Sequence, residues 1–184
     1  MNFLKKFSTL DLLYISILSA LGLAIKPIVT PLVHLISAPL VIPGGSLAGG
    51  FYMMWLVLVM AIVNKPGAGI LFCIVQAILV ICLGFFGNHG TVSLISYTLP
   101  GIVADIVAIF FSNKNKLAFH TTICTVANLA GTFTVTVLVM RLAWIPLLIA
   151  MVVSAISGIL GGIVSYKLFH KMIAFKIIQI RNCK

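Results

Sequence analysis

Apolar runs of about 17 to 22 residues alternate along the chain with short breaks marked by Pro, Gly or Lys. A run of that length crosses a hydrocarbon core of ~30 Å at ~1.5 Å per residue. The punctuation predicts six helices: Leu10 to Ile25, Leu47 to Val63, Ala68 to Leu83, Val92 to Phe111, Ala118 to Val139 and Ile145 to Phe169. The expected fold is an all-α membrane protein, a compact bundle of six transmembrane helices forming a single domain over residues 1–184. One connection is long. Residues 26 to 46 (KPIVTPLVHLISAPLVIPGGS) hold four prolines and read as an extracellular first loop folded against the bundle, too broken for a clean span.

Composition agrees with the pattern. The chain is 62% apolar and 8% charged, with a mean hydropathy of +1.27, where a soluble domain carries roughly 25% charged residues. The net charge of +10 would suggest nucleic acid in a soluble protein, but membrane proteins gather Lys and Arg on the cytoplasmic side, and no basic run is interleaved with exposed aromatics. No nucleic-acid partner is expected. With the N-terminus inside, ten basic residues fall on the inner side: Lys5, Lys6, Lys65, Lys114, Lys116, Lys167, Lys171, Lys176, Arg181 and Lys184. Only Lys26 and Arg141 fall outside. Both termini are therefore expected in the cytoplasm, with Lys65-Pro66-Gly67 a tight cytoplasmic turn. Lys5-Lys6 before an apolar run could pass for a signal peptide; an uncleaved first helix is preferred, because removing it leaves five spans and reverses the charge balance.

Candidate chemistry is sparse. The four cysteines (73, 82, 124 and 183) form no CxxC and no Cys/His spacing, so no metal or redox site is expected. There is no HExxH, phosphate-binding loop, paired-carboxylate site or Ser/His/Asp set, and no ATP-binding segment. An enzyme is disfavoured. A polar side chain in a bilayer needs a partner or a function, which singles out a few positions. Asp11 reads as a solvated helix start at the inner end. Asp105, deep in the fourth predicted helix, is either a counter-charge for a substrate or a hydrogen-bond partner of a neighbouring helix. Ser93, Tyr97, Gly101 and Asp105 recur every fourth residue as a polar stripe. Gln76 and Asn128 fall near mid-membrane and are candidates to line a pocket. His89 lies in the loop Asn88-His89-Gly90. Phe51, Tyr52 and Trp55 form the most promising constellation, a face on which a flat heteroaromatic ligand would stack. Small residues, Ser16, Ala20 and Ala24 early in the chain and Ser154 to Ser165 late in it, allow close helix packing or the docking of a partner.

The AxxxA motif (Ala20 to Ala24), "GGFYMMWLVLVMAIVNKPGAGIL", "LGFFGNHG" and "LPGIVADIVAIF" together resemble the substrate-binding S components of energy-coupling factor (ECF) transporters, in the branch that includes thiamine and hydroxymethylpyrimidine uptake. The resemblance is strongest from Gly49 to Phe111. It implies a vitamin-binding subunit of the bacterial plasma membrane, embedded in lipid. Such a subunit works with a transmembrane coupling subunit and two ATPases; ATP is used by those partners and no cofactor is bound by this chain. In that frame Phe51, Tyr52, Trp55, His89 and Tyr97 would surround the ligand and Ala20 and Ala24 would face the coupling subunit; Gln76, Asp105 and Asn128 join the candidate substrate-binding set as polar residues within the membrane. Thiamine-type relatives carry further carboxylates in the third helix, where this chain has Cys73 and apolar residues, leaving room for a neutral pyrimidine or another small metabolite. The competing expectation, a stand-alone channel or secondary carrier, would call for broken helices with facing ion ligands or an inverted repeat. Neither is visible in the sequence.

Overall fold

Ser8 starts the first long helix. In the computed structural model, which describes residues 4–39, 43–83 and 93–178, its Oγ accepts the Asp11 N–H at 3.3 Å while the Asp11 carboxylate accepts the Ser8 N–H at 2.9 Å. This capping box satisfies two donors that a helix start leaves open. Helix α1 covers Thr9–Ala24, α2 Lys26–Ser37, α3 Gly44–Val63 and α4 Ala68–Cys82. Then come α5 over Ser93–Ala108, α6 over Leu117–Thr134 and α7 over Trp144–Ala174. A π turn, Val135–Val139, extends α6. No strand occurs among the described residues.

The proline-rich segment corrects the sequence reading. Most of what reads as a first loop is helix α2, separated from α1 by Ile25 alone. Pro27 sits in the first turn, where a missing N–H leaves no bond unmade. Pro31, one turn on, would have donated to the carbonyl of Pro27 and removes a single bond, so the helix survives both rings. Thr9–Leu35 is thus one interrupted apolar stretch of 27 residues. Together with Gly44–Val63, Leu117–Val139 and Trp144–Ala174 it makes four stretches long and apolar enough to cross a membrane; Ala68–Cys82 and Leu94–Ala108 are apolar but shorter.

Helix α3 is apolar on every side, and a helix of that kind belongs in the interior. Leu56 through Val63 are all buried. Around it α1, α4, α5, α6 and α7 follow one another; α3 packs most closely on α7 and α6, then on α1 and α4, and α2 packs against its first half. The turn after α3 is made by Asn64 (φ 50°) and Gly67 (φ 87°), both left-handed. Lys6, Lys65, Asn115 and Ile177 are tied to one another's neighbourhoods by hydrogen bonds from Lys65, His170 and Tyr14, so most of the lysines gather at one end of the bundle.

At this basic end lies a second correction. Asp11 is not solvated; it is 1% exposed and its Oδ2 stands 2.7 Å from the Lys65 ammonium. Lys65 also donates to the Lys6 carbonyl at 2.6 Å. Burial of the Asp11 carboxylate is made tolerable by the cation brought from the α3–α4 turn.

Candidate functional site

The end of the bundle remote from the lysines gathers aromatic rings around a charge. Lys26 opens α2 at the break with α1, and its Nζ lies 4.1 Å from the centroid of the Tyr97 ring of α5 and 5.3 Å from that of Tyr52 of α3. The Tyr52 hydroxyl pairs with Thr30 Oγ1 at 3.0 Å, one turn along α2. Three helices therefore meet at one ammonium group. The attraction of a cation for an aromatic face grows as water is excluded.

About one turn deeper, Trp55 and Gln76 converge on Gly22 of α1. A Cβ added to Gly22 would stand 2.9 Å from Gln76 Nε2 and 3.3 Å from the Trp55 ring, so this glycine makes room for both side chains. Gln76 donates to the Ser19 carbonyl at 3.4 Å. The Trp55 Nε1–H is buried with no acceptor among the described residues, where buried donors are usually paired.

The other expected residues lie elsewhere. Phe51 meets Tyr52 edge-on at 6.5 Å between centroids but lines a groove of about 450 Å³ between α3 and α7 with Leu47, Val153 and Ile156. The aromatic trio therefore splits between two surfaces, since residues four apart on a helix still diverge when each neighbour offers a different gap. Asn128 is 2% exposed and donates to the Ser154 carbonyl at 2.8 Å, while Thr132 donates to the Ser154 hydroxyl at 2.9 Å. That network ties α6 to α7. Asp105 points to the basic end, where its carboxylate accepts the N–H of Ile70 at 2.7 Å and of Gly67 at 3.3 Å. It caps the start of α4 from a neighbouring helix. His89 lies outside the described residues. Ala20 and Ala24 are exposed on α1. The small residues of α7 are used internally: Gly158 and Gly162 lie against the backbone at Thr125 and Thr121 of α6, and Gly161 against Gly50 of α3.

The family profile described as "ABC-type cobalt transport system, permease component" matches residues 10–137, well over half of the chain. The chain belongs to that family. It is therefore a membrane component of an ABC-type transport system, a class of permease that works with ATPase and other subunits. No curated protein and no solved structure matches it. The matched span takes in α1 to α6 and so includes Lys26, Tyr52, Trp55, Gln76 and Tyr97. Among the described residues of this permease component, no three His, Cys, Asp or Glu side chains lie close enough to hold a metal ion.

Sequence reasoning missed Lys26 and Thr30 because the segment reads as loop. The available signal was a lysine inside what is otherwise an apolar stretch from α1 to Leu35. For Asp105 the geometry makes a direct prediction. Asp105→Ala should lower stability by about 1–3 kcal/mol, because two backbone donors lose their acceptor. Asp105→Asn, whose amide oxygen still accepts, should recover most of the loss. Thermal unfolding of the purified variants in detergent checks this. A ligand affinity that falls with Asp105→Asn while stability holds would instead give the carboxylate a place in the binding site.

Proposed function

We propose that this permease component is the substrate-binding S component of an ECF-type importer. In this reading it crosses the bacterial plasma membrane six times, with the basic end in the cytoplasm. It captures a flat heteroaromatic vitamin or vitamin precursor, thiamine-like or hydroxymethylpyrimidine-like, in its outer half. A coupling subunit and two ATPases then drive delivery. The observation that carries the reading is the convergence of Tyr52, Tyr97 and Lys26, with Trp55 and Gln76 about one turn deeper, at the end remote from the lysines. Aromatic walls with few polar groups suit a small planar ligand. The exposure of Ala20 and Ala24 on α1 supports docking of a coupling subunit there, since small side chains let another helix approach closely.

Cobalt as the cargo is the second reading, favoured by the family description. Against it stands the donor chemistry: Asp11 is paired with Lys65 and Asp105 caps α4, and a lysine occupies the aromatic cluster. Titration of the purified chain with thiamine, hydroxymethylpyrimidine and Co²⁺, followed by tryptophan fluorescence, separates the two. Saturable quenching by a pyrimidine, lost in Trp55→Phe with Trp144 retained as the internal reporter, is the expected result. Saturation by Co²⁺ alone would replace the vitamin reading with the metal one.

A further inference from the structure

Lys26 carries the most unusual charge in the chain. It sits inside the apolar stretch Thr9–Leu35, where an ammonium group is costly to hold without partners. Such residues face the bundle interior and mark substrate paths. Neither carboxylate of the chain is available to it. Asp11 is bound to Lys65 and Asp105 to the start of α4, both at the basic end. Two ring faces stand against the ammonium, Tyr97 at 4.1 Å and Tyr52 at 5.3 Å. Ring faces attract the charge but accept no conventional hydrogen bond from the three N–H donors of a lysine. Among the described residues no oxygen accepts from its Nζ. About one turn deeper the buried Trp55 Nε1–H has no acceptor among the described residues, and Thr30 fixes the Tyr52 hydroxyl. The cluster thus presents a cation and aromatic surface, and both carboxylates of the chain are engaged elsewhere.

We propose that the ligand of this site carries an oxyanion, a carboxylate or a phosphate on or beside its ring, and that the oxyanion binds the Lys26 ammonium between Tyr52 and Tyr97. The proposal rests on the reading of the chain as a substrate-binding component and narrows its ligand class. A cationic ligand would be repelled at this position. A neutral pyrimidine would leave the lysine donors unmet, whereas an oxyanion accepts charge-assisted hydrogen bonds from them.

The test uses the full chain in phospholipid-free detergent. Three probes are titrated by tryptophan fluorescence: hydroxymethylpyrimidine, its phosphate monoester and pyrimidine-5-carboxylate. At least one anionic probe is expected to bind about tenfold or more tighter than the neutral one. Lys26→Met should bring that preference to within about twofold, and Lys26→Arg should keep it. The neutral probe binding as tightly as both anions, or a preference that survives Lys26→Met, would overturn the proposal and leave the vitamin reading standing. Failure of all three probes with folded protein would overturn the vitamin reading and the proposal with it. Protection by phosphatidylglycerol, with neither soluble anion binding, would assign the oxyanion to a lipid headgroup and overturn its place in the substrate.

Discussion

Gly50→Leu should abolish the folded protein, and Gly45→Leu, on the same helix, should leave it intact. The difference is one of neighbours. A Cβ on Gly50 would overlap the carbonyl of Ser157 on α7, and a Cβ on Gly161 would overlap the carbonyl of Gly50 in return; around Gly45 there is open space. The two helices touch backbone to backbone here. The Ser157 hydroxyl accepts the Gly50 N–H at 3.1 Å and donates to the Leu47 carbonyl, while Cys124 Sγ on α6 contacts the Gly50 carbonyl at 3.4 Å. Extra methylenes in a packed interior typically destabilise by ~1–3 kcal/mol when side chains can shift. Backbone atoms cannot shift singly, so α3 and α7 would have to separate along their length, with an effect at or beyond the upper end of that range. Gly161→Leu should behave like Gly50→Leu. Size-exclusion profiles and unfolding temperatures in detergent provide the check, and a Gly50→Leu variant as stable as Gly45→Leu would mean that α3 and α7 do not approach this closely.

That contact also shows what could be read from the chain beforehand. Small residues every fourth position on α7 announced a close approach, but spacing alone leaves open whether the neighbour is in the same bundle or on a partner. The face is shared between α3 and α6, and the exposed pair Ala20 and Ala24 is what remains for a partner. Helix positions were legible within a few residues because Pro, Gly and Lys mark the breaks between long apolar runs, most plainly at Asn64 to Gly67. The α2 segment was not legible, since two prolines four apart read as a breaker unless the first is known to fall in a first turn. Missing α2 meant missing Lys26, and with it the charge at the centre of the aromatic cluster. Phe51 and Trp55 illustrate the complementary limit: their spacing puts them on neighbouring parts of one helix surface, but the gaps offered by α1 and α7 decide where each ring goes.

The second large effect is expected at the opposite end, and it is asymmetric. Lys65→Met should destabilise the protein by about 3 kcal/mol, Asp11→Asn by about 1 kcal/mol, and the double variant by less than the sum of the two. The asymmetry follows from exposure: the Asp11 side chain is 1% exposed and that of Lys65 32%. Removing the cation takes the Lys65 ammonium away from a buried carboxylate that keeps the Ser8 N–H. Removing the carboxylate leaves an ammonium that can turn toward water, still within reach of the Lys6 carbonyl, and the contribution of a partly exposed lysine is screened accordingly. Asn at position 11 also retains an oxygen for the capping box. Unfolding of the four proteins in one detergent gives the coupling directly. Equal losses from the two single variants would mean that Asp11 is as well solvated as its partner, returning it to the exposed helix start that the sequence suggests. The predicted order would instead make this pair the clamp between the start of α1 and the α3–α4 turn.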